Sequence, residues 1–183
     1  GTVSVAGINT VTETVGSSVV FESGSAVSNS SAYDANAQKV VVSYLDAGNS
    51  NRGTAVVGTI SGTSVSFGSP VVFDTGSTNG GAIAYDANAQ KVVIAYNLSN
   101  SGKAIVGTVS GSSISFGSVV DLGANAQGIT VVYDSSAQKV VVSYYNNSSS
   151  NYGTSRVGTI SGTGISFGTA VVFASHNAGY YMG

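Results

Sequence analysis

Residues 33–44 read YDANAQKVVVSY, residues 85–96 read YDANAQKVVIAY and residues 133–144 read YDSSAQKVVVSY. The three stretches begin 52 and 48 residues apart, so one unit of about fifty residues recurs along the chain. A second block keeps phase with the first: VGTISGTSVSFGSPVVF (57–73), VGTVSGSSISFGSVVDL (106–122) and VGTISGTGISFGTAVVF (157–173). The chain therefore divides into residues 22–73, 74–122 and 123–173 as three whole copies.

Each copy separates into four extended segments, expected in the first copy at Ser25–Asp34, Lys39–Asp46, Thr54–Ser61 and Ser64–Phe73. Ala35-Asn36-Ala37-Gln38 and Ser61-Gly62-Thr63 suit hairpin connections, because small and Asx residues accept turn conformations. The second and third segments are joined by a longer loop, Ala47–Gly53. Short strands with regular turn signals define an all-β chain and leave a sandwich, barrel or propeller open. Val40-Val41-Val42 is apolar on both faces, which a sheet covered on both sides requires. Four strands in about fifty residues favour a β-propeller-like array, either a closed small propeller or an open stack of blades.

Both ends fall in mid-unit. Gly1-Thr2-Val3-Ser4 matches Gly107-Thr108-Val109-Ser110, and Val19-Val20-Phe21 matches Val71-Val72-Phe73, so residues 1–21 read as the back half of a unit. Residues 174–183 begin a further one. These ends are expected to complete each other, within one chain or between chains. The chain also opens on Gly1 rather than Met, as a processed product or an excised fragment would.

Composition narrows the function. Of 183 residues 42% are apolar, yet there is no Trp or Cys and one Met, so the core must come from Val, Ile, Ala, Tyr and Phe. Charged residues are 8%, against about 25% in an ordinary soluble domain. Six basic residues and a net charge of −2 argue against nucleic-acid binding. No apolar run approaches the roughly 20 residues of a spanning helix, and no basic segment leads into an apolar one as in a signal peptide. Neither a membrane nor a nucleic acid is an expected partner, and no cofactor is expected. A surface rich in Gly, Ser, Thr and Asn fits an extracellular, cell-surface or virion location.

The combination YD-x-x-x-QKVVVSY, then VGTISGTSVSFG, then VVF resembles repeats of tail-fibre and other structural proteins of environmental bacteriophages, and of uncharacterised bacterial surface proteins. The resemblance covers about residues 19–173. It implies an exposed appendage or adhesin module with a propeller-like fold, and it brings no catalytic residues.

Asp34, Asp86 and Asp134 recur at one position, each followed by Lys39, Lys91 or Lys139. A ring of cation or sugar ligands is one reading. The other is that each Asp caps its turn and each Lys opens the next strand, and recurrence in every copy favours it. A calcium site needs six to eight oxygens, which one Asp per unit does not supply. Tyr44, Tyr96 and Tyr144, with Phe67, Phe116 and Phe167, read as packing between units.

The loop after the second strand differs between copies. Its candidate ligand-binding residues are Asn49, Asn51, Arg52, Asn97, Asn100, Tyr145, Asn147, Asn151 and Tyr152, whose amides and rings suit a carbohydrate. Sequons place candidate glycosylation at Asn29, Asn97, Asn146 and Asn147. Catalysis lacks its parts: His176 is the one histidine, Arg52 and Arg156 are the two arginines, and the acids Glu13, Glu22, Asp46, Asp74 and Asp121 are scattered. The expectation is a non-enzymatic structural subunit of a fibre or appendage that self-associates through its unfinished ends. A lectin-like module that binds cell-surface glycans is the alternative.

Overall fold

The structure is a computed structural model that describes residues 16–123 and 125–177. It is all-β, built of two antiparallel sheets. In the first unit β1 (Ala26–Asp34), β2 (Lys39–Asp46) and β3 (Arg52–Ser61) form a meander. A short 3₁₀ turn, Ala47–Asn49, lies between β2 and β3. The fourth strand is broken. β4 (Ser64–Phe67) pairs with the last part of β3, and the start of β5 (Val71–Asp86) pairs with the first part. The interruption follows from Gly68, whose N–H turns back to the Val57 carbonyl at 2.9 Å. Gly117 and Gly168 do the same to Val106 and Val157.

β5 is 16 residues long because it serves two units. Its first part closes the first unit, and Thr78–Asp86 then pairs with β6 (Lys91–Leu98) as the opening strand of the second. β7 (Ser101–Ser110), β8 (Ser113–Phe116) and β9 (Val120–Asp121) finish that unit. The third consists of β10 (Ala126–Asp134), β11 (Lys139–Asn146), β12 (Tyr152–Ser161), β13 (Gly164–Phe167) and β14 (Val171–Asn177). The passage from β9 to β10 is not continuous, since Gly123 takes φ +71° and breaks the extended run. This separates a nine-stranded sheet from a five-stranded one.

Packing makes three layers with an apolar seam between each layer and the next, two in all. The first seam joins Val41, Ala55 and Val57 of the first unit to Val92, Ile94, Tyr96, Ile105 and Ile114 of the second. The next joins Val93, Ala95, Ala104 and Val106 to Val140, Val142, Tyr144 and Ile165. Successive residues of a strand point to opposite faces, so Val92 and Ile94 serve one seam while Val93 and Ala95 serve the other. At Val40-Val41-Val42 of β2, from which a doubly covered sheet is expected, Val41 is buried while Val40 and Val42 are half-buried; the equivalent run Val92-Val93-Ile94 of β6 is buried on both faces. Tyr44, Tyr96 and Tyr144 are all buried, and Phe116 and Phe167 pack against the seams.

Recurrent contacts set the spacing of the layers. Phe73 lies edge-on to Tyr96 with ring centroids 5.1 Å apart, and Phe21 stands in the same relation to Tyr44. Asn36 N–H donates to the Tyr85 hydroxyl and Asn88 N–H to the Tyr133 hydroxyl, both at 3.2 Å. Gly68 and Gly117 abut the backbone carbonyls of Ser112 and Thr163 in the following layer, and Gly16 abuts that of Thr63. Residues 16–21 therefore occupy, against the first unit, the place that 68–73 occupy against the second. The rest of the expected half unit at 1–15, and the expected start of a further unit beyond 177, lie outside the described residues.

Candidate functional site: a polar groove along the opening strands

β1, the second part of β5, and β10 are the opening strands of their units. Among the described residues each is paired along one edge only. They lie beside one another, and Ile83 N–H of β5 donates to Ser30 Oγ of β1 at 3.3 Å. Each carries a bulge near its start, at Ser28, Gly80 and Gly128, where φ is +54°, +57° and +56°. A bulge leaves one residue without a cross-strand partner and turns the strand. Here three bulges in one register open a cavity of about 330 Å³, lined by Ser28, Asn29, Asn79, Gly80, Asn97 and Gln127 with neighbouring backbone.

The described lining holds amides, a hydroxyl and backbone, with no ionisable side chain and no ring. Asn97 braces it from below. This side chain is buried, its Nδ2 donates to the Ala126 carbonyl at 2.8 Å, and its Oδ1 accepts from Asn100 N–H at 3.1 Å. Asn29 and Asn79 are exposed to the cavity, and Gln127 Nε2 donates to Asn125 Oδ1 at 3.0 Å.

The variable loops stand at the same end of the layers, because the bulges lie next to Val27↔Leu45, Asn79↔Asn97 and Gln127↔Tyr145. Their asparagines have conformational work. Ser50-Asn51, Ser99-Asn100 and Ser150-Asn151 all adopt positive φ, which Asn tolerates better than most residues. Asn49 sits half-buried in the 3₁₀ turn. Asn147 is exposed and its N–H reaches the Asn125 carbonyl at 2.9 Å. The Asn146 side chain bonds Ser148 N–H and Ser149 Oγ within its own loop. Tyr145 and Tyr152 are half-buried. Among the described residues, Arg52 Nε and Asn151 Oδ1 are buried without a hydrogen-bond partner. Of the residues singled out from the sequence, the structure brings Asn29 and Asn97 into one cavity. It leaves Asn49, Asn51, Asn147 and Tyr152 out of the cavity lining.

Sequence reasoning did not find Ser28, Asn79 and Gln127. The available signal was the small residue that opens each copy at equivalent positions, Ser28, Gly80 and Gly128. At the opposite end of the layers the aspartates cap turns as expected. Asp34 accepts from Ala37 N–H, while Asp86 accepts from Asn88 and Ala89, all at 2.9 Å. The Asp134 carboxyl is held below the ordinary range by the Ser136 hydroxyl and by the N–H groups of Ala137 and Ser136. Lys39, Lys91 and Lys139 are the first residues of β2, β6 and β11. Among the described residues no three His, Asp or Glu converge as metal ligands would, and no helix is long and apolar enough to cross a membrane. His176 is exposed on β14.

No protein-family model matches the chain, and no curated protein matches it significantly.

Proposed function

We propose that the chain is a non-enzymatic structural module of an exposed fibre or appendage, extracellular, on a cell surface or on a virion. Its repeats form a small β-propeller or an open stack of blades, and copies associate end to end. One observation carries this reading. The outer face of the third unit exposes the residue series that is buried within the layers. Val57 is 1% exposed and Val106 0%, while their counterpart Val157 is 48% exposed. Val171 and Phe173 are exposed where Val71 and Phe73 pack into the first seam, and Val132 is exposed where Ala84 packs into the second. An apolar face that, within the chain, meets the opening face of the next unit asks for another copy of the repeat. Contact between unlike ends yields a ring if it closes and a filament if it does not.

The opposite end is differently built. Residues 16–22 cover part of the first unit, and Tyr33 of β1 stays 55% exposed. We assign that end of a neighbouring chain as the partner. The low charge and the scattered acids fit a role without catalysis, and the resemblance of the repeats to tail-fibre repeats supports an appendage. Sedimentation velocity with electron microscopy tests the reading. The expected result is a mass that rises with concentration, with rings or short filaments, both lost in Val157→Lys. A monomer at the highest attainable concentration would sink it.

A further inference from the structure

We infer that the groove along the opening strands binds a neutral polyhydroxylated ligand, a one- or two-residue segment of a glycan. This inference stands apart from the association of copies, since none of the exposed apolar residues Val132, Val157, Val171 and Phe173 lines the groove.

The cavity is about 330 Å³, at the small end of the range for ligand sites, roughly 300 to 1,000 Å³. The described lining offers no charge, so a phosphate or carboxylate would find nothing to pair with. It offers no ring for a base to stack on, and Ile129 is its only sizeable apolar side chain, too little for an apolar ligand. What remains is a set of amides and a hydroxyl. A carboxamide presents an acceptor and two donors side by side, which matches a pair of adjacent sugar hydroxyls that must both give and receive.

Strands of ordinary geometry would bring the three opening edges together without a gap. The bulges at Ser28, Gly80 and Gly128 prevent this at one level, and the buried Asn97 amide fixes β10 to β6 there. The cavity is thus held open by backbone and by a buried side chain, and little ordering is left for the ligand to impose. Asn29 and Asn79 reach it from different strands, so two units would hold one ligand.

Saturation-transfer NMR with methyl glycosides of glucose, galactose, mannose and N-acetylglucosamine, and with their β-linked disaccharides, tests the proposal. The expected result is that at least one sugar binds, with affinity on the order of 1 mM as few-contact ligands show. Asn29→Ala/Asn79→Ala should weaken it by about tenfold or more, from the loss of two hydrogen-bonding groups. Both side chains are exposed, and an unchanged melting curve would show that the variant folds. Asn147→Ala/Tyr152→Ala should leave binding as it was. The proposal is overturned if no sugar on the panel binds, if the groove variant binds as well as the parent, or if the loop variant is the one that loses binding.

Discussion

The Tyr96 hydroxyl donates a 2.8 Å hydrogen bond to the Asp74 carboxylate, joining the second strand of one unit to the closing strand of the unit before it. Tyr44 makes the same bond to Glu22 at 3.2 Å. In the third unit the acid's place is taken by Gly123, and Arg156 lies nearby with Nη1 on the Leu122 carbonyl. Burial first, and then the carboxylate, raise the pKa of Tyr96 far above the ordinary phenol value. Burial and the Glu22 charge do the same for Tyr44, and burial raises Tyr144.

These tyrosines keep their protons in the folded state where the unfolded chain has lost them. Their contribution to stability is complete below about pH 10, the unfolded value, and falls as pH rises beyond it. Melting temperature followed by circular dichroism should be level from pH 7 to about 9.5 and drop steeply above about 10. Tyr96→Phe should flatten that drop and cost about 1–3 kcal/mol at neutral pH in urea unfolding. An equally steep alkaline fall in the variant would show that Tyr96 is not one of the groups responsible.

Val106 and Val157 occupy one position of the repeat in different surroundings. Val106→Asp places a carboxylate in the sealed seam between layers and should cost more than about 3 kcal/mol or prevent folding. Val157→Asp should stay within about 1 kcal/mol of the parent, because that side chain already meets solvent. Val41→Asp belongs with Val106→Asp, since Val41 is fully buried in the first seam. Chemical denaturation of the three variants decides between a sheet covered on both faces and a one-sided sheet.

Gly117 and Gly168 give a second matched pair. A methyl group on Gly117 would overlap the Thr163 carbonyl, whereas at Gly168 the nearest atom is the Val157 carbonyl oxygen at 3.7 Å. Gly117→Ala should therefore lose about 1–3 kcal/mol through displaced backbone. Gly168→Ala should keep the melting temperature of the parent and reduce the association of copies, read by sedimentation. Equal stability of both variants would mean that the layers are not held at the spacing described.

Asp86 closes its turn by accepting two backbone N–H groups while itself buried. Asp86→Ala leaves both donors without that acceptor and should cost about 1–3 kcal/mol. Asp86→Asn retains one oxygen and should cost less. A metal-ligand role would predict instead that calcium raises the melting temperature of the parent and not of the variant.

The sequence by itself determined the repeat, the all-β class, the first three extended segments of a unit and the turn chemistry. Each of these rests on local constraints. An Asp at the head of a turn, an αL-tolerant Asn or Gly and a β-branched run act over a few residues, so they are visible in any copy. It also led to the expectation, from Val40-Val41-Val42, of a sheet covered on both faces; β6 of the middle layer shows this, while Val40 and Val42 of β2 are half-buried. What it could not tell was which copy of a shared residue is buried. Val57, Val106 and Val157 are one letter in one motif, and only their neighbours in space distinguish them. The groove was hidden for the same reason. Its residues come from three copies about fifty positions apart, and the bulges that hold it open matter only when three strands converge. The tertiary structure alone decided these points, because burial and cavity shape belong to the surfaces that meet and not to the segments that supply them.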